Sequence, residues 1–447
     1  MNKRKDKKVL TGNVHNSHEK HRSQMKKNAL IVIGFTALIG AIFATIFISF
    51  SALSARFLPI EETTQLEQAN VEQVPPVSAQ MDSPPIIPEK YEEYEEYEEA
   101  EPLEDIMVGI EYMMQGGLLE LPVNGATGWA ARRTPLRHQP QTEAGILFNL
   151  EAAQGFTIIE EYGNWWYVQL SDESSGWVEH RNCFINLPDV IPSIIYNITN
   201  AYSSVKRSSG VEIPDITGLS LYNAYAFNTR FEHYAFIVPA LYGTAKRLAI
   251  AQQAALADGN TIVVYEAFRP LETQRSVSNN LQNLINSNEM VRSAINNPPW
   301  HVGWFIASGV SSHQRGAALD VSLAIVDDYE LKITGDFIFK NITAFTMHQM
   351  PSEMHELSPQ AVVFAHPVAA NATMLGEVPF ADSFTSGAMT LQSYLFEVGF
   401  LPLASEWWHF DDFESNSAAA ALDITGNFFI NTVYSMAPAW VVFGIIE

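Results

Sequence analysis

From Ala29 to Phe50 the chain runs ALIVIGFTALIGAIFATIFISF without one charged residue. About 20 such residues are enough to cross a bilayer as a helix. No polar face interrupts the run, which argues against a buried core helix. Residues 1–27 carry nine Lys/Arg against two Asp/Glu, a net charge of +7. A basic flank of this kind stays on the cytoplasmic side. The sequence therefore predicts a basic cytoplasmic tail over 1–27, a single transmembrane helix over 28–50 and a catalytic or binding part outside the cell. A cleaved signal peptide is the rival reading, because small residues follow at Ser51, Ala52, Ser54 and Ala55. The long basic region and the length of the apolar run favour an uncleaved anchor. The whole chain carries −24, so everything after residue 27 sums to −31. Such an acidic body is a poor partner for nucleic acid.

Residues 51–105 lack periodic apolar patterning and contain Pro75-Pro76, Pro84-Pro85, Pro88 and the tract YEEYEEYEEAE from Tyr91. Low hydropathy and dense like charge predict an extended acidic, Pro-rich linker. Fully stretched, it spans on the order of 150 Å, a reach suited to a cell wall.

Residues 106–190 alternate apolar and polar positions in short runs such as GFTIIEEYG, NWWYVQL and SGWVEHRNCFINL, separated by Gly, Asn and Ser. That pattern predicts several short strands closing into a barrel or sandwich. The order RTPLR, G, F, GNWWYVQL and GWV resembles a bacterial SH3-like domain. Such domains often bind wall peptides, so Trp165, Trp166 and Trp177 are candidates either for a binding platform or for the small core. Cys183, the only cysteine, excludes an internal disulfide and a Cys-based zinc knuckle. In its apolar setting it reads as a small buried hydrophobe.

Residues 195–447 are enough for one enzyme domain. ALYGTAKRLAIAQQAALADG has helical spacing of small and apolar residues, and the strand TIVVYEAF follows it. Further helices are expected after Leu271. Strands and helices mix without a regular βαβ period, which predicts an α+β fold. Two strings then carry chemistry. SSHQRGAALDVSL holds His313 and Asp320, and EWWHF holds Glu406 and His409. A catalytic zinc needs three protein ligands and one open position, and two His with one carboxylate meet that need. A further carboxylate has to move the proton of the attacking water. Glu406, three residues before His409, can lie near the metal without being a ligand. Gly316, Ala317 and Ala318 suit a tight backbone path beside it.

The ordered elements YEAFRP, SSHQRGAALD, MPSEMHELS and EWWHF resemble the zinc D-Ala-D-Ala peptidases of the vancomycin-resistance dipeptidase and carboxypeptidase type, over most of residues 220–447. The resemblance implies a Hedgehog/DD-peptidase-like domain with one Zn2+ per chain held by His313, Asp320 and His409. It implies Glu406 as general base and acid, Arg269 near the developing oxyanion, and Ser311 in contact with substrate. A strand-end salt bridge is the alternative role for Arg269. Trp407 and Trp408 read as packing residues that hold the Glu-x-x-His turn. The third element departs from the Met-Gly-Thr and Phe-Asp pattern of the dipeptidase branch. Its His355-Glu356 mimics the start of a His-Glu-x-x-His metal helix, but the fifth position is Pro359, which cannot ligate a metal and disturbs a helix.

The expected activity is zinc-dependent hydrolysis of D-Ala-D-Ala-type bonds in peptidoglycan stem peptides, as a D,D-carboxypeptidase or a D,D-dipeptidase. A wall-facing location favours trimming of stems over cleavage of free dipeptide, which is made in the cytoplasm. The alternative is a non-catalytic scaffold that binds wall peptides; loss of any ligand would favour it, yet all three ligands and the base are present.

Overall fold

The structure is a computed structural model that describes residues 119–368 and 378–438. The basic tail, the apolar run over 28–50 and the acidic linker lie outside the described residues, as does the start of the 106–190 region. Among the described residues no helix is long and apolar enough to cross a membrane.

The first sheet is built from short strands whose side chains alternate between core and surface. β1 (Thr127–Ala130), β2 (Thr134–Arg137), β3 (Ile146–Leu150), β4 (Gly155–Tyr162), β5 (Trp165–Gln169), β6 (Ser175–Glu179) and β7 (Cys183–Asn186) supply seven strands. Trp129, Leu136, Phe156, Ile158, Trp166, Val168 and Val178 fill their core. Trp165 and Trp166 are buried and Trp177 is half-buried, so Trp166 at least is a core residue. Cys183 is fully buried, and burial pushes its thiol far above the ordinary range.

The remaining strands are β8 (Ile195–Tyr196), β9 (Arg207–Ser208), β10 (Val211–Glu212), β11 (Tyr225–Asn228), β12 (His233–Phe236), β13 (Pro239–Leu241), β14 (Asn260–Glu266), β15 (Ala318–Thr334), β16 (Phe337–Met347), β17 (Phe400–Leu403) and β18 (Glu406–Asp412). β13 does not join its sequence neighbours. It pairs with β7 and extends the first sheet to the order β13-β7-β1-β4-β5-β6-β2-β3. The hydrophobic core is likewise continuous from Trp129 to Trp408. The final described segment returns across the first sheet: Trp129 Nε1 donates to the Thr432 carbonyl at 3.0 Å and the Tyr434 amide donates to Thr127 Oγ1 at 2.9 Å. Gly155 makes room for it, since a Cβ there would lie 2.2 Å from the Tyr434 ring.

The second sheet has the order β17-β18-β15-β14-β8, with β16 paired to β15. The main helices are α1 (Tyr242–Ala257), α2 (Leu271–Ser287), α3 (Glu289–Ile295), α4 (Ser386–Glu397) and α5 (Phe413–Ala421). α1 packs on β14 and α4 and buries small residues such as Ala245, Ala249 and Ala255. α2, one of the helices expected after Leu271, is amphipathic and buries Val277, Leu281, Leu284 and Ile285. Strands and helices of this mixed kind give an α+β architecture.

One buried acid ties the first described residues to α1. Glu120 accepts hydrogen bonds from the Ser193 amide at 2.9 Å, from Ser193 Oγ and from Gln253 Nε2 at 3.1 Å. Burial outweighs these donors and raises its carboxyl from 4.5 to about 7. The folded chain thus keeps a proton that the unfolded chain releases. Its contribution is whole below pH 4.5 and is lost as pH rises to about 7, at most about 3 kcal/mol. Denaturation at pH 5 and pH 8 should show Glu120→Gln losing less stability between the two than the parent; equal losses would refute this.

Candidate metal and catalytic site

Sheet register assembles the site. Asp320 on β15 stands directly opposite Glu266 on β14 and His409 on β18, so one row across three strands carries all three side chains. His313 comes from a 3-10 turn just before β15, which Gly316 closes with φ +67°. A Cβ on Gly316 would lie 2.6 Å from the Phe184 ring, and its carbonyl accepts from the Leu241 amide at 2.8 Å. The first sheet therefore buttresses the turn that presents His313. Glu406 and His409 reach the same side of β18 because the strand is irregular there. Pro402 opposes Phe410, yet Leu403 opposes Glu406, so β18 carries extra residues.

Three ligand atoms converge. His313 Nε2 lies 3.2 Å from Asp320 Oδ1 and 3.1 Å from His409 Nδ1, which is 3.1 Å from Asp320 Oδ1. Ligands at zinc distances in a tetrahedral site lie roughly 3.3 Å from one another. The outer nitrogens are both committed. His313 Nδ1 donates to the Ala267 carbonyl at 2.6 Å, and His409 Nε2 donates to Asp411 Oδ1 at 3.0 Å. In each neutral ring the other nitrogen then bears its lone pair, turned toward the shared centre. Two lone pairs and a carboxylate oxygen this close repel one another unless a cation or protons intervene. Among the described residues these three form one of two groups able to hold a metal ion; the other is Glu266, Asp320 and His355. Glu266 already faces Arg269 and Lys206, which makes that second group a poor metal site.

Charge around the centre is dense. Burial would raise the Asp320 carboxyl, but His313, His355 and His409 hold it well below the usual range. Its Oδ2 accepts from Arg269 Nη2 at 3.0 Å and from His355 Nε2 at 3.1 Å. Burial, aided by Asp320, raises Glu406 to about 7 against the pull of His409, Lys206 and Arg269. Its Oε2 is 4.0 Å from His409 Nδ1, close to the centre but outside the triangle. Burial lowers His409, yet Asp411 and Asp320 outweigh it and hold the imidazole well above its ordinary value. Burial and Lys206 push His355 down to about 4.

A cleft of about 190 Å3 opens onto this cluster, lined among others by Lys206, Arg269, Trp304, Ser311, Glu406 and Trp408. The structure thus brings together the six peptidase-site candidates of the sequence, Arg269, Ser311, His313, Asp320, Glu406 and His409. Arg269 is held by Glu266, Asp320 and Gln274, so the salt bridge is present at the strand end; its buried Nε has no partner. Ser311 donates from its amide and its hydroxyl to Gln314 Oε1 at 2.7 and 2.8 Å. Trp407 and Trp408 are buried, and Trp407 Nε1 donates to Ser352 Oγ. Residues 354–358 form no helix, in keeping with rejection of a His-Glu-x-x-His site.

Four residues of the cluster escaped the sequence reading: Lys206, Glu266, His355 and Asp411. Asp411 had a signal, because a residue two beyond His409 in a strand shares its face. Glu266 stands three residues before Arg269 in YEAFRP. Lys206 leaves no local pattern, and His355 was noticed only as the start of a His-Glu-x-x-His pattern that fails at Pro359.

Residues 130–183 match the family model described as a bacterial SH3 domain. No curated protein matches the chain.

Proposed function

We propose that this protein is a zinc peptidase acting on D-Ala-D-Ala-type ends of cell-wall stem peptides, with His313, Asp320 and His409 as the metal ligands. The observation that carries the reading is the triangle of three ligand atoms, each 3.1–3.2 Å from the others, with both outer imidazole nitrogens already donating.

A cation held there supplies Lewis-acid polarisation of a carbonyl and a water acidified toward neutral pH. Glu406 accepts the proton of the attacking water and returns it to the leaving amine, work suited to a carboxyl near neutrality. Arg269 holds a fixed positive charge at the cleft, braced by Glu266 and Gln274, where it favours developing negative charge on the substrate oxygen. Ser311 lines the cleft, which supports its reading as a substrate contact. The substrate class rests on the resemblance of the four ordered strings, and the bacterial SH3 domain is consistent with a wall-facing role. The charged flank before 28–50 gives the same reading its location, anchored in the membrane with the peptidase outside.

The test is metal analysis of the purified full-length chain, joined to product analysis with D-Ala-D-Ala, a pentapeptide stem and intact peptidoglycan. About one zinc per chain with release of terminal D-Ala is expected. Zinc without any cleavage would favour the binding-scaffold alternative, and absence of zinc would overturn the metal site.

A further inference from the structure

His355 is fully buried and adopts φ +59°, a left-handed conformation that non-glycine residues rarely take. Its surroundings hold it there. The Arg207 amide donates to the His355 carbonyl at 3.1 Å, the Leu357 amide donates to the Arg207 carbonyl at 2.8 Å, and Ser208 Oγ donates to the Leu357 carbonyl at 2.8 Å. Glu356, next in the chain, accepts from the Gly210 amide at 3.0 Å and from Ser358 Oγ at 2.6 Å. Rare backbone geometry persists where neighbours over-determine it, and it collects at functional sites.

The conformation has one evident product. It turns the imidazole inward so that Nε2 meets Asp320 Oδ2 at 3.1 Å, with the ring edge-on to Trp408. The other ring nitrogen, Nδ1, is buried without a partner. An unsatisfied buried atom is costly, so packing alone does not explain a histidine here. Asp320 offers Oδ1 to the ligand triangle and keeps Oδ2 for two donors, Arg269 and His355. Arg269 Nη2 is shared with Glu266, whereas the His355 N–H serves Asp320 alone.

We propose that His355 is a positioning residue that confines Asp320 to one-oxygen ligation of the metal, a role that rests on the metal-site reading above. Partners that orient a ligand commonly govern affinity as well as geometry. His355→Phe keeps a ring of similar size against Trp408 and removes the donor, while His355→Gln keeps a donor at similar reach.

The full-length chain and both variants should be titrated with zinc against a competing chelator, and their cobalt forms recorded in the visible range. His355→Phe should bind zinc about 10–100 times more weakly, and His355→Gln within about threefold of the parent. The cobalt form of His355→Phe should absorb more weakly, as a second Asp320 oxygen raises the coordination number; the parent and His355→Gln should share one spectrum. Parent-like affinity and spectrum in His355→Phe would overturn the role, and so would His355→Gln falling as far as His355→Phe. If His355→Phe fails to fold by circular dichroism, His355→Met, apolar and without a donor, replaces it. A parent chain that binds no zinc would instead overturn the underlying metal site.

Discussion

Glu406→Gln should retain zinc at parental affinity and turn over substrate about 10²–10⁴ times more slowly, the usual cost of losing general acid–base catalysis. The three ligand atoms come from His313, Asp320 and His409, and Glu406 lies outside their triangle, 4.0 Å from His409 Nδ1. Gln fills the same space, so ligand packing is preserved. It cannot accept the proton of the attacking water, and that proton then has no short route to the leaving amine. KM should change little while kcat falls, because the lost interaction belongs to the transition state. Zinc content and single-substrate kinetics on the same preparation decide the matter. Near-parental turnover would mean that another group is the base, and a matching loss of zinc would make Glu406 a ligand.

The candidate site was legible in the sequence because its chemistry lies in two short strings that β15 and β18 carry side by side. His313 and Asp320 span one turn and one strand start; Glu406 and His409 share a strand. Local patterning also located α1, through its small and apolar residues at helical spacing, and β14, a short apolar run buried from Thr261 to Val264. What was not legible depends on long-range pairing. β13 leaves its sequence neighbours to extend the first sheet through β7, and no period in PALYG announces that. The support around Asp320 has the same character. Lys206 stands far from the motifs in sequence and His355 lies in the MPSEMHELS element, where it was not read as part of the site; the two come together where the strand at Arg207 pairs with Glu356. The His355-Glu356 pair looked like a metal helix that fails at Pro359. Its actual use, one side chain turned to Asp320 and the other to the turn at Gly210, follows from a left-handed residue that sequence does not announce.

His409→Ala should abolish stoichiometric zinc binding and, with it, hydrolysis. The loss should exceed the roughly 10–100-fold expected for an outer partner, which is the size predicted for Asp411→Ala, since Asp411 only orients the His409 ring. The order of the two variants follows from geometry: one removes a vertex of the triangle, the other a hydrogen bond behind it. The same ring fixes how binding depends on pH. Burial lowers the His409 pKa, but Asp411 and Asp320 raise it well above its ordinary value, which favours a second proton on the ring when no metal is bound. A cation must displace that proton from Nδ1 before the lone pair is free. Affinity should therefore fall as pH falls, by about tenfold per unit for each proton displaced. Glu406, raised to about 7 without metal, adds a second proton below neutrality. Calorimetry in two buffers of different ionisation enthalpy at pH 6 should then show at least one proton released per zinc bound. Zinc bound at full occupancy by His409→Ala would remove this residue from the ligand set. Zero proton release by the parent chain would mean that the charge on His409 is not what the metal replaces.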